Sequence, residues 1–237
     1  MKIEKYKNNL NYSYTLGITI TIELLKEKKD KIIAIYYSSK FEDGEGKKKI
    51  DELTKNANII PIIQDKVFNI LSPKENCYCI GVFEKYTSPI KEGNHIVLVN
   101  PANAGNLGTI IRSALGFNLT NIAIIKPAVD IFDAKTIRSS MGAIFKINFT
   151  YYDSFDEYQA CFKHHFYPFM LKAKHSLKYT RFEEPASLIF GNEATGLDDS
   201  YLNFDSIIIP HSKNIDSLNL PIACSIAIYE FSKHNWE

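Results

Sequence analysis

The chain has 237 residues and a mass of 27.1 kDa, which suits one large domain or two small ones. Hydrophobic residues make up 45% and charged residues 23%, a balance that excludes a disordered tail, a collagen-like chain and a coiled coil. The net charge is +1, with +3 over residues 1–90 and −2 over 91–237, and all three arginines (Arg112, Arg138, Arg181) fall in the second part; a mildly basic front end is compatible with nucleic acid without demanding it.

Apolar residues at helical spacing predict a helix over Leu16 to Lys29, followed by a β-branched and aromatic strand over Lys31 to Tyr37. A charged, glycine-containing loop is expected over Phe41 to Lys49. Then come a helix over Lys48 to Asn56, a strand over Asn58 to Ile63, a short helix over Lys66 to Leu71 and a strand over Cys77 to Phe83. Glu84 to Asn94, with Pro89 and Gly93, breaks the pattern and marks a linker. The spacing predicts a front module over 1–85, a linker over 86–94 and a second domain over 95–237.

The second domain restarts with an apolar strand over His95 to Val99. Alternation continues with a helix over Leu107 to Phe117, a strand over Asn121 to Ile125, a helix over Asp133 to Ser140 and a strand over Lys146 to Thr150. A helix over Asp156 to His165 and strands over Phe169 to Ala173, Ser187 to Phe190 and Ile207 to Ile209 follow. A last helix runs from about Pro221 to Lys233, with proline suited to a first helical turn. Such alternation predicts an α/β fold with a mostly parallel sheet covered on both faces.

Cys77, Cys79, Cys161 and Cys224 lack the spacing of a zinc site, so idle thiols and no metal are expected. No apolar run approaches the roughly 20 residues that span a bilayer. With no basic start followed by an apolar stretch, a cytoplasmic protein without membrane contact is expected.

In parallel sheets, ligands bind at the carboxyl ends of strands. Three loops there are distinctive. The first, Asn100 to Gly108, contains Asn103-Ala104-Gly105 and opens the helix that carries Arg112. Its glycines do not form the G-x-G-x-x-G dinucleotide fingerprint, and no Gly-Lys-Ser/Thr phosphate loop exists. The second, Gly191-Asn192-Glu193-Ala194-Thr195-Gly196-Leu197, sets a carboxylate between two glycines directly after a buried strand. The third runs from Ile209-Pro210 to Ser217-Leu218-Asn219, before the last helix. Taken singly, Asn103, Glu193, Ser217 and Asn219 could each be a helix cap.

Taken in order, the three motifs resemble the SpoU family of RNA ribose methyltransferases, in the knotted SPOUT superfamily, over roughly residues 95–235. The front part is similar to the small ribosomal-protein-like α/β sandwich module of several members. That likeness rests on Tyr14-Thr15-Leu16-Gly17 before Glu23-Leu24-Leu25 and on Gly81-Val82. The resemblance implies a C-terminal trefoil knot, a homodimer, and methyl transfer from S-adenosylmethionine to a ribose 2′-hydroxyl of structured RNA. Ribosomal RNA is the favoured target; transfer RNA, or RNA binding without catalysis, is the alternative.

The same resemblance implies that Phe190, Gly191, Asn192, Ile209, Pro210 and Leu218 surround the cofactor. It makes Arg112, Asn103, Glu193, Ser217 and Asn219 the catalytic set, with Glu193 able to pair with Arg112. A guanidinium of pKa above about 12 is a poor proton acceptor at pH 7, so a charge-stabilising or phosphate-positioning role for Arg112 is as plausible as that of a base. His211 stands where the family often has Met. It is kept outside the catalytic set.

Overall fold

The computed structural model describes residues 3–72 and 76–236. The chain divides into two compact units, one formed by residues 1–86 with 130–146, the other by 87–129 with 147–237.

The first unit begins with β1 (Tyr12–Tyr14) and α1 (Ile18–Glu27), then β2 (Ile32–Tyr37), α2 (Glu45–Asn56), β3 (Ile62–Ile63), α3 (Asp65–Leu71) and β4 (Cys79–Glu84). Its sheet runs β1-β4-β2-β3, antiparallel except for the β2–β3 pair. Period-two alternation buries both faces. Ile35, Tyr37 and Cys79 pack with Leu25 of α1 and Ile50 of α2, while Tyr36, Ile80 and Val82 pack with Val67, Phe68 and Leu71 of α3. Gly81 has no room for a side chain: a Cβ there would lie 2.8 Å from Leu24 and 3.0 Å from the Thr15 hydroxyl.

Two expectations change here. The strand over 58–63 shrinks to Ile62–Ile63, because Asn58 (φ 55°) closes the end of α2 and Pro61 has no N–H to give a ladder. The expected loop over 41–49 is helical from Glu45, so Lys47, Lys48 and Lys49 lie on α2. Lys47 pairs with Asp43 (2.6 Å) and Lys49 with Glu52 (2.8 Å), which reduces the run's free positive charge.

The second unit starts with β5 (His95–Val99), α4 (Ala104–Gly116) and β6 (Asn121–Ile125). The chain then leaves it. Residues 130–146, with α5 (Ala134–Ser139), fold into the first unit and not into the continuous second domain expected over 95–237. Long-range contacts invisible to local periodicity hold them. Phe132 meets the Phe83 and Tyr86 rings, the Ser13 hydroxyl donates to the Phe132 carbonyl at 2.6 Å, and Lys146 pairs with Glu23 at 2.6 Å.

Back in the second unit come β7 (Asn148–Tyr152), α6 (Phe155–Cys161), β8 (His165–Pro168), β9 (His175–Ser176), β10 (Ala186–Phe190), β11 (Ile207–Ile208) and α7 (Leu220–Ser232). The helix expected as far as His165 ends at Cys161. The aromatic run His165–Pro168 forms the edge strand in place of the one expected over 169–173, pairing parallel to β10. The five-stranded sheet has the order β7-β6-β5-β10-β8 and every pair is parallel. β5, β6 and β10 are buried along their whole length, as strands covered on both faces must be. Strand order reverses between β5 and β10, and a crevice at their carboxyl ends follows from that topology.

Candidate functional site

A cavity of about 880 Å3 opens at that crevice, within the second unit. Val99 and Asn100 end β5 on one side of it, and Phe190 and Gly191 end β10 on the other. Phe190 is buried and stacks on Phe169, with centroids 4.7 Å apart and planes 10° from parallel. Of the residues expected around a cofactor, Phe190, Gly191, Asn192, Ile209 and Leu218 line this cavity. Pro210 is exposed and does not.

The Gly191–Leu197 loop is closed by its own polar groups. The Asn192 carbonyl accepts from Gly196 N–H (2.9 Å), its side-chain oxygen accepts from Ala194 and Thr195 N–H (2.8 and 3.2 Å), and its amide donates to the Asn100 carbonyl (2.8 Å). The return strand passes so close that a Cβ on Gly191 would lie 2.3 Å from the Gly196 carbonyl carbon. Only glycine fits at 191.

This loop holds Glu193 against the first motif. One carboxylate oxygen accepts from Ala102 N–H (3.1 Å); the other accepts from Asn103 N–H (3.2 Å) and the Asn106 side-chain amide (3.1 Å). Burial would raise the pKa of Glu193, but these bonds and one from its own N–H outweigh it and lower the pKa. An anion at the start of α4 also gains from the helix dipole.

The anticipated Glu193–Arg112 pair is absent among the described residues. Arg112 lies about two turns into α4, exposed, and does not line the cavity. Asn103 is the N-cap of α4, its side-chain oxygen accepting from Gly105 and Asn106 N–H (2.8 and 3.2 Å). It is Asn106 that reaches Glu193. The signal was present as a second Asn-x-Gly at 106–108, and only the helix phase distinguishes the two. Ser217 lines the cavity, and Asn219 occupies the N-cap position of α7 without a side-chain capping bond, so neither hydroxyl nor amide is spent on the helix.

His211 also lines the cavity. Its Nδ1 lies 2.8 Å from the Ile209 carbonyl oxygen, which can only accept. The cavity's charged lining comprises Asp153, Glu193, Asp198 and Asp199 against Lys126 and Lys172, an acidic balance that favours a cationic ligand. An apolar floor of Phe190, Ile209, Leu218, Leu220 and Ala223 completes it. Size and lining suit a nucleoside with a charged tail.

Residues 93–229 match the SpoU rRNA Methylase family. The chain belongs to that family. An AdoMet-bound rRNA methyltransferase from Sinorhizobium meliloti is 25% identical, with a TM-score of 0.79 over 94% of this chain and 88% of that one. A tRNA (cytidine/uridine-2′-O-)-methyltransferase of Yersinia enterocolitica is 31% identical over 150 residues, 57% of this chain and 58% of its own. An uncharacterised tRNA/rRNA methyltransferase of Synechocystis is 29% identical over 148 residues, 60% of this chain and 53% of its own. This chain thus spans somewhat more than half the length of those two relatives. The α/β class, the parallel sheet and the family expected from the three motifs are all met.

Proposed function

We propose that this SpoU-family methyltransferase moves a methyl group from S-adenosylmethionine to a ribose 2′-hydroxyl of structured RNA, with ribosomal RNA as the favoured target. The observation that carries this reading is the cavity at the β5/β10 crevice, acidic in balance and clamped shut on one side by Glu193. A sulfonium donor supplies an activated methyl group, and its positive charge suits the acidic lining. Phe190, Gly191, Asn192, Ile209 and Leu218 would hold it, in a C-terminal segment that the family resemblance makes knotted.

Glu193 and Asn106 act as positioning residues, fixing the start of α4 relative to the cavity. Arg112 contributes charge to the RNA side. Its place supports a site completed across a homodimer. Ser113 bonds Ser225 at 2.8 Å and Phe117 meets Tyr229, so α4 and α7 pack side by side. Exposed Ile222, Ile226 and Tyr229 recur on α7 at helical spacing. Arg112 on such a face would reach a partner's cavity.

The front unit, whose residues 1–86 carry a net charge of +3, recruits the RNA in this reading. Deleting it is not a clean test, because residues 130–146 would lose the unit into which they fold. The decisive experiment supplies labelled S-adenosylmethionine with ribosomal and transfer RNA fractions from cells lacking the gene. Label appearing as 2′-O-methylribose in ribosomal RNA supports the reading, label in transfer RNA alone redirects the target, and label in neither removes it.

A further inference from the structure

Methylation of a hydroxyl releases a proton, and the receiving group must be free to take it. Four carboxylates line the cavity, and all four are engaged. Glu193 accepts three bonds from the first motif. Asp198 accepts from Ser200 N–H at 2.9 Å, and bonds from Ser200 lower its pKa. Asp153 is paired with Lys126 at 2.8 Å, and Asp199 with Lys172 at 2.8 and 2.9 Å. Both lysines are thereby ion-paired, and ammonium groups have no lone pair to offer. Arg112 lies outside this chain's lining, and where a partner's copy reaches the cavity its guanidinium is permanently protonated and has no lone pair to offer.

His211 differs from all of these. Because the Ile209 carbonyl has no proton to give, the 2.8 Å contact requires the proton on Nδ1. In the neutral ring Nε2 then carries the lone pair, and it has no hydrogen-bonding partner among the described residues. The ring is half-buried on the cavity wall, in the same stretch as Ile209, Ser217 and Leu218. The carbonyl that sets the tautomer also stabilises the imidazolium once formed, as an orienting acceptor does behind other catalytic imidazoles.

We infer that His211 is the general base of the methyl transfer, its Nε2 accepting the proton of the attacking 2′-hydroxyl. His211 takes up that proton as the hydroxyl oxygen bonds to the methyl carbon, and the sulfur keeps the electron pair of the broken S–C bond. One positive charge disappears from sulfur and one appears on the ring, so the cavity's charge is unchanged. The charged groups that share the cavity with the ring are the four engaged carboxylates and the two lysines, while Lys213 and Asp216 are exposed neighbours on its own segment. This inference rests on the methyl-transfer reading above.

His211→Asn tests it, since asparagine keeps a donor for the Ile209 carbonyl and removes the ε acceptor. Three measurements are made on the full chain: S-adenosylmethionine affinity by calorimetry, methyl transfer to RNA against pH, and 15N NMR of the His211 ring in the cofactor-free protein. The expected result is affinity within about threefold of wild type, transfer reduced by about a hundredfold or more, and loss of the acidic limb of the pH profile. His211→Ala should regain part of its activity with added imidazole. The NMR should show Nδ1 protonated and Nε2 bare in the neutral ring. Transfer by His211→Asn near the wild-type rate, affinity falling in parallel with rate, or a proton on Nε2 in the neutral ring would each overturn the inference. A wild-type protein that transfers no methyl group to either RNA fraction instead overturns the reading on which it rests.

Discussion

Glu193 and Asn106 meet at 3.1 Å, joining the loop after β10 to the first turn of α4. They are 87 residues apart in the chain, and the contact spans the strand-order reversal where the cavity opens. The carboxylate satisfies the Ala102 and Asn103 N–H groups that lead into α4, and it fixes one wall of the site.

Glu193→Ala should therefore cost both stability and turnover. Removing a charged acceptor from three donors that remain partly exposed is worth about 1–2 kcal/mol, a thermal shift of a few degrees for a chain of this size. Methyl transfer should fall by about a hundredfold or more. Glu193→Gln should recover most of the stability and little of the rate. Calorimetric melting alongside single-turnover transfer separates the two, and a Glu193→Ala protein of unchanged rate would remove the clamp from the mechanism.

Arg112→Ala should leave S-adenosylmethionine affinity within a few-fold while cutting methyl transfer by about a hundredfold, because Arg112 serves the RNA side and is not among the residues that would hold the cofactor. Arg112→Lys keeps the charge and loses the planar fork, so its shortfall measures how far bidentate contact matters. Asn219→Ala, at the cavity-side start of α7, should impair affinity and rate together. Titration calorimetry and transfer assays on the three variants give the comparison.

Ile226→Glu together with Tyr229→Glu should produce monomers and abolish transfer without unfolding the chain. Both side chains are exposed, at 39% and 55%, so the charges are not buried within one subunit. Light scattering of the wild type at micromolar concentration should report about twice the 27.1 kDa chain mass, and a 27.1 kDa species alone would contradict the dimer.

Stability should also depend on pH through a buried chain of hydrogen bonds at the opposite end of the sheet. His95 Nε2 donates to the Lys91 carbonyl (2.6 Å), so its Nδ1 accepts from the Tyr158 hydroxyl (2.8 Å). Tyr158 in turn accepts from Ser187 (2.7 Å), and Ser187 accepts from His164 Nδ1 (2.8 Å). Burial, opposed by the Lys91 carbonyl and helped by the nearby His164, pushes the pKa of His95 down to about 4 from 6.5. The unfolded chain binds this proton at higher pH than the folded one. The stabilisation is thus complete above pH 6.5 and is lost as pH falls toward 4, at about 1.4 kcal/mol per unit within that window. Urea midpoints measured from pH 7.5 to 4 should fall accordingly, and His95→Gln should flatten the slope.

The features legible before folding are local. Apolar runs at His95–Val99 and Asn121–Ile125, separated by helical periodicity, dictate a parallel α/β sheet because both faces of such strands are covered. The glycines and polar residues that follow the strands mark where ligands can approach, and the order of the three motifs singles out the family. Features that depend on distant pairing emerge only in the folded chain. Residues 130–146 leave the second unit because Phe132 and Lys146 find partners in the first, contacts that no local period encodes. Two Asn-x-Gly triplets look alike in sequence, yet one turn of helix makes Asn103 a cap and carries Asn106 to Glu193. In sequence His211 is one histidine beside a loop and stays outside the catalytic set; the folded chain sets it on the cavity wall with a carbonyl two residues away fixing its tautomer. Hydrophobic patterning acts over a few residues, whereas a site is assembled by chain closure over dozens, and only the folded chain brings those groups within hydrogen-bonding range.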